Sequence, residues 1–136
     1  MTFKYDILVV DDNFDITNII KILLQKDGFR VFDFNDPILA LEYFKLDPKK
    51  FALVITDVRM PGMSGIELLS RIKEVCPGIK SFLITAFELD SIEPEIKKHA
   101  LEISEIFQKP IPLQNLSKSV NKYIRITESE KGKEIE

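Results

Sequence analysis

Apolar positions along this chain follow two alternating periods. Ile7-Leu8-Val9-Val10 is an unbroken apolar run, the pattern of a strand buried on both faces. Ile16, Ile19, Ile20, Leu23 and Leu24 then fall at helical spacing, and Gly28 is placed to end that helix. Arg30 to Phe34 alternates in polarity, as a half-exposed edge strand does. Asp36-Pro37 reads as a helix start, with aspartate as cap and proline in the first position; Leu41 and Phe44 continue the stripe. Residues 52–55 form the next buried run, and Ile66, Leu69, Ile72 and Val75 mark a third helix closed by Pro77-Gly78. Phe82-Leu83-Ile84 predicts a fourth strand. A fourth helix is expected over residues 94–101, with Pro94 in its first turn, followed by a short strand at Ile106-Phe107. Leu113, Leu116, Val120, Tyr123 and Ile124 give a last amphipathic helix. From Thr127 the chain reads TESEKGKEIE. One domain is therefore expected over residues 1–126, with residues 127–136 as a polar, disordered tail.

Strand and helix alternate five times, which predicts an α/β fold with a parallel sheet. Right-handed crossovers place helices on both faces. At 136 residues the expected architecture is a flavodoxin-like (βα)5 doubly wound sheet with strand order 2-1-3-4-5. In that order the first and third strands are neighbours, and the switch point where ligands bind lies between them.

Composition narrows the setting. Apolar residues make up 45% and charged residues 30%, ordinary for a globular protein. A net charge of −3 gives no electrostatic reason to expect nucleic acid or an anionic membrane as partner. No segment approaches the roughly 18 apolar residues of a membrane span, and MTFKYDILVVDD does not read as a signal peptide. The single cysteine, Cys76, has no companion for a disulfide or a metal site, so a cytoplasmic location is expected. His99, the only histidine, lies beside Lys97 and Lys98 and reads as a surface residue, whereas Phe44, Phe51 and Phe82 read as core.

The chemistry gathers at strand ends. The first strand ends in Asp11-Asp12 and the third in Asp57, and parallel neighbours present these ends on one edge. Like charges packed together need a counter-charge, and a hard divalent cation with oxygen ligands, Mg²⁺ above all with Mn²⁺ as an alternative, supplies one. The fourth strand adds the hydroxyl of Thr85, and the fifth leads to the ammonium of Lys109. Acids, a metal, a hydroxyl and an ammonium suit a phosphoryl group. With no nucleotide-binding glycine loop, the expected acceptor is a carboxylate itself.

Asp11-Asp12, Asp57 with VRMPGMSG after it, Thr85-Ala86 and Lys109-Pro110 together resemble the receiver domain of two-component response regulators, over about residues 5–126. The resemblance implies that Asp57 accepts a phosphoryl group from the phosphohistidine of a sensor histidine kinase or a histidine phosphotransfer protein. It implies Asp12 as a direct Mg²⁺ ligand and Asp11 as one acting mainly through water, with the Arg59 backbone carbonyl as another. Lys109 would pair with the acidic site, Thr85 would swing in to a phosphoryl oxygen, and the Lys109–Pro110 bond is a candidate cis peptide. It also implies a stand-alone switch that catalyses its own phosphorylation and dephosphorylation and regulates an unidentified downstream protein. It is not a conventional enzyme, and neither direct nucleic-acid binding nor membrane insertion is implied. Three rivals are weaker. An aspartate-nucleophile phosphatase would carry a second acid where Arg59 stands. A non-phosphorylated interaction module would not need Asp12, Asp57, Thr85 and Lys109 together. A receiver cut from a larger regulator would make the polar tail a linker.

The chain departs from the family at three places. The family often has tyrosine or phenylalanine three residues before the lysine, where this chain has Ile106; Phe107 beside it would point to the opposite face. The loop and helix after Thr85 are therefore expected to carry the output. The stretch FELDSIEPEIKKHALEISEIFQ is longer than usual and lacks the common glycine; its Phe87, Leu89 and Ile92 either form a partner surface or pack inward. Finally, Arg59 and Phe87, each two residues beyond a site residue, are neither of them the carboxylate or amide that could orient an attacking water. An unpositioned nucleophile reacts slowly. The aspartyl phosphate is expected to persist for minutes or longer in Mg²⁺; a half-life of seconds, followed by intact mass, would contradict this.

Overall fold

A computed structural model describes the backbone of residues 5–135 and the side chains through residue 130. Five parallel strands, β1 (Asp6–Val10), β2 (Arg30–Phe34), β3 (Phe51–Asp57), β4 (Lys80–Thr85) and β5 (Glu105–Gln108), form one sheet in the order β2-β1-β3-β4-β5. The helices are α1 (Phe14–Lys26), α2 (Pro37–Leu46), α3 (Gly65–Val75), α4 (Leu89–Lys98) and α5 (Leu113–Ile135). This is the flavodoxin-like architecture expected from the alternation.

The central strands β1 and β3 are buried along their whole length, which is why their sequences run apolar without alternation. Their side chains still divide between two cores. Ile7, Val9, Leu53, Ile55, Phe82 and Phe107 meet Ile20 and Leu24 of α1 and Leu116, Val120 and Ile124 of α5. Leu8, Val10, Val54 and Leu83 meet Phe44 of α2, Ile66, Leu69 and Ile72 of α3, and Ile92 of α4. Each such aliphatic side chain contributes about 1.5–3 kcal/mol on burial. Phe107 lies in the first core and Ile106 borders the second, so the two do not exchange roles.

Two sequence expectations need correction. The fourth helix starts at Leu89, not near Pro94, which sits inside it. The docking of Ile92, buried under α4, draws in the turn that proline chemistry alone would leave out. The same fact divides the three apolar residues before Pro94: Ile92 packs inward, while Phe87 and Leu89 are exposed. The tail boundary at residue 127 also fails, because α5 continues to Ile135. Thr127 is buried, and Glu130 lies 3.4 Å from Lys80 of β4. The residues beyond that boundary are helical because one face of their first turn rests on the sheet. Residues 1–4 and 136 lie outside the described chain.

Helix starts follow local chemistry. Asp36 and Ser64 accept bonds from Ile38 N–H and Glu67 N–H as N-caps of α2 and α3. At Gly65, the first residue of α3, a Cβ would stand 1.8 Å from the Asp57 carbonyl oxygen and 3.0 Å from Thr56 Oγ1. Its N–H reaches the Val58 carbonyl at 2.7 Å. Glycine thus lets the start of α3 press against the end of β3. Gly65→Ala is expected to destabilise the fold by at least about 3 kcal/mol, or to displace α3 from Asp57, read by urea denaturation.

Candidate functional site

The strand ends line up by register. Val10 pairs with Thr56, Asp57 with Ile84, and Thr85 with Gln108. Asp11, Asp57, Thr85 and Lys109 are therefore each at or one step beyond the same edge of the sheet. One carboxylate oxygen from each of Asp11, Asp12 and Asp57 lies within 4.8 Å of the others. Lys109 Nζ stands 3.2 Å from Asp11 Oδ2 and 3.4 Å from Asp57 Oδ2, so a single ammonium bridges two acids from different strands.

The bland reading of the two adjacent acids, as helix caps, is excluded by the residue after them. Asn13 caps α1: its Oδ1 accepts from Asp15 N–H at 2.9 Å and Ile16 N–H at 3.4 Å. Asp11 Oδ1 accepts from Asn13 N–H at 2.9 Å, and Asn35 Nδ2 donates to the Asp11 carbonyl at 2.8 Å and to Thr17 Oγ1 at 3.1 Å. Asn13 and Asn35 hold the acidic turn in place, and neither is among the residues that the strand-end pattern singles out. The signal for Asn13 was available, since asparagine before an amphipathic stripe is a favoured cap. Nothing in the sequence pairs Asn35 with Asp11, because that contact spans two strands.

Electrostatics sharpen the picture. Asp11 is buried, and desolvation raises its pKa above the usual aspartate value; the Asn13 N–H opposes this, Asp57 adds to it and Lys109 opposes it. Asp57 is likewise raised by burial, against the opposing pull of Lys109 and of Val58 N–H. Burial lowers Lys109, but Asp11 and Asp57 outweigh it and its pKa is raised. Salt bridging would be expected to lower the acids as it raises the lysine. It does not here, because burial of each carboxylate outweighs the pull of Lys109, and the neighbouring like charges add to that effect. Asp11 Oδ2 is also buried without a hydrogen bond, since its contact with Lys109 is an ion pair lacking that alignment. An acidic trio that shares one ammonium, and so has too little positive charge, fits a divalent cation held by oxygen.

Thr85 is fully buried, and its Oγ1 accepts from Phe87 N–H at 2.9 Å, with the hydroxyl hydrogen still able to donate. Lys109 N–H donates to the Thr85 carbonyl at 2.8 Å, and the Lys109–Pro110 peptide is cis. Ile106 lies on the face below Thr85, beside α4, and Arg59 is exposed. His99 is exposed at the end of α4, away from these strand ends.

A sequence model described as the response regulator receiver domain matches residues 7–121. This chain belongs to that family. The receiver is 32% identical over 119 residues to sporulation initiation phosphotransferase F of Bacillus subtilis (strain 168), covering 87% of this chain and 92% of that protein. It is 31% identical over 118 residues to response regulator receiver protein CpdR of Brucella abortus (strain 2308), covering 87% and 95%. A response regulator receiver domain protein from Clostridium thermocellum superposes with a TM-score of 0.80 at 31% identity, covering 91% and 97%. Among the described residues of this receiver, no helix is long and apolar enough to cross a membrane.

The raised pKa of Asp57 has a consequence for stability. A carboxyl held more weakly acidic when folded favours the folded state at pH below its unfolded value, and that advantage is lost as pH rises through the folded value. Near neutral pH, without divalent cation, the Asp57 charge therefore opposes folding. Asp57→Asn is expected to melt at higher temperature than the wild type at pH 7, with the gap narrowing toward pH 4. A variant less stable than wild type at pH 7 would contradict this in thermal melts.

Proposed function

We propose that this receiver is a phosphorylation-dependent signalling switch in which Asp57 takes a phosphoryl group from a sensor histidine kinase or a histidine phosphotransfer protein. The observation that carries the reading is the meeting of Asp11, Asp12 and Asp57 with Lys109 at the carboxyl edge of the sheet. In the transfer, an Asp57 oxygen forms the new bond to phosphorus as the bond to the donor imidazole nitrogen breaks. The residues that would hold Mg²⁺, or Mn²⁺ in its place, are Asp12 directly, Asp11 mainly through water, Asp57, and Arg59 through its backbone carbonyl. When bound, the ion neutralises charge on the phosphoryl oxygens. Lys109 shares that work and holds Asp57 in place, and Thr85 donates its hydroxyl to a phosphoryl oxygen. The chain thus catalyses its own modification and later hydrolysis, acting on no separate substrate.

About two negative charges arrive at the edge on modification. They bias an equilibrium between two arrangements of the loop after β4 and of the surface formed by α4, β5 and α5, and that surface regulates a downstream protein. What supports α4 as the responsive element is its weak hold on the domain. It buries only Ile92, carries Pro94 inside, and its first residue is preceded by Glu88, which makes no side-chain cap bond. The cytoplasm, where such kinases present their phosphohistidine, is the proposed location.

Incubation with acetyl phosphate and Mg²⁺ is expected to add one phosphoryl group to the wild type, read by intact mass, and none to Asp57→Asn. A folded wild type without an adduct, or an equal adduct on the variant, would overturn the proposal.

A further inference from the structure

Phe87 is held from three directions. Its N–H donates to Thr85 Oγ1 at 2.9 Å, and its carbonyl accepts from Gln108 Nε2 at 3.4 Å. Its ring lies against the Arg59 guanidinium, whose central carbon is 4.6 Å from the ring centroid. These anchors come from the end of β4, the end of β5 and the loop after β3. Phe87, Arg59 and Gln108 are all exposed, so the arrangement is not a by-product of core packing. Thr85 and Gln108 also line an open cavity of about 360 Å³, together with Glu88, Leu89, Asp90 and Ile106. Ile106 lines that space, and Gln108 stands beside Thr85 in the sheet register.

We propose that Arg59 and Gln108 latch Phe87, biasing the loop after β4 toward its resting position, and that Gln108 supplies the link between that loop and β5 which Ile106 cannot. The inference rests on the reading of Asp57 and Thr85 given above. When Thr85 turns its hydroxyl toward an oxygen on Asp57, Phe87 N–H loses its acceptor. The loop follows only if the Arg59 stack and the Gln108 bond also release. An exposed cation–π contact and a neutral hydrogen bond each bias such an equilibrium by a factor of about two to ten. Apparent affinity for a ligand of the active arrangement scales with the fraction already in it. Each latch contact therefore weakens phosphoryl binding by that same factor, and each can be removed separately.

The test uses beryllofluoride, a phosphoryl mimic, titrated with Mg²⁺ and followed by fluorine NMR. Gln108→Leu and Phe87→Leu remove the amide bond and the stack without changing net charge. Each is expected to bind the mimic about two- to tenfold more tightly than wild type. In the unliganded variants, the amide resonances of residues 86–88 are expected to move along the line joining free and mimic-bound wild type. A merely structural role would scatter them. Unchanged or weaker binding in both variants, with well-dispersed spectra, would overturn the latch while leaving Asp57 as acceptor. No adduct on the wild type, or the same adduct on Asp57→Asn, would overturn the latch together with the reading beneath it.

Discussion

Three carboxylates confined to one sheet edge against a single ammonium set the terms for the rest of this molecule. Asp11 and Asp57 are buried where water cannot solvate their charge, and Lys109 is shared between them. Such a cluster is unfavourable by itself, because desolvation raises both acids despite the lysine. It persists because the backbone beneath it is over-determined. β1 and β3 are buried along their length, Asn35 pins the Asp11 carbonyl, and α3 is pressed against β3 at Gly65. The stability resides in the two cores, and the functional edge draws on it.

Rigidity and softness are divided along the sheet. The edge formed by β1 and β3 has capped helices behind it and close backbone contacts around it. The side formed by β4, α4 and β5 has a helix with one buried residue, an internal proline and an exposed aromatic at its entry. Ala100 closes that helix with φ of 52°, a left-handed conformation that glycine adopts more easily. A segment so weakly held can change position at small energetic cost, while the acids that would receive the charge stay fixed. Thr85 belongs to both regions: its backbone is in the sheet, and its hydroxyl holds the start of the α4 side through Phe87 N–H.

Several details could be read in the chain, and others could not. The caps at Asp36 and Ser64 obey local rules, and so do the alternating periods of strand and helix. The opposite facing of Ile106 and Phe107 follows from the two-residue period of a strand alone. The start of α4 lies before the place proline chemistry predicts, because proline is a strong local signal, whereas the burial of Ile92 is a contact made across the sheet face. The end of α5 lies beyond the place composition predicts for the same reason: TESEKGKEIE is polar on average, but Thr127 is buried. Arg59 and Phe87 could each be singled out by spacing from a site residue, yet their mutual stacking joins loops 28 positions apart in sequence.

By itself the sequence determined the order of strands and helices, the parallel sheet, and which residues stand at strand ends, since these follow from period, capping and the handedness of crossovers. It therefore also determined that Asp11, Asp12, Asp57, Thr85 and Lys109 share an edge. Only the tertiary structure decided how their charges balance, that Asn35 pins the Asp11 carbonyl, how far α4 and α5 extend, and what holds Phe87. Each of these depends on burial or on a contact between elements distant in the chain. A local pattern of residues carries no measure of either.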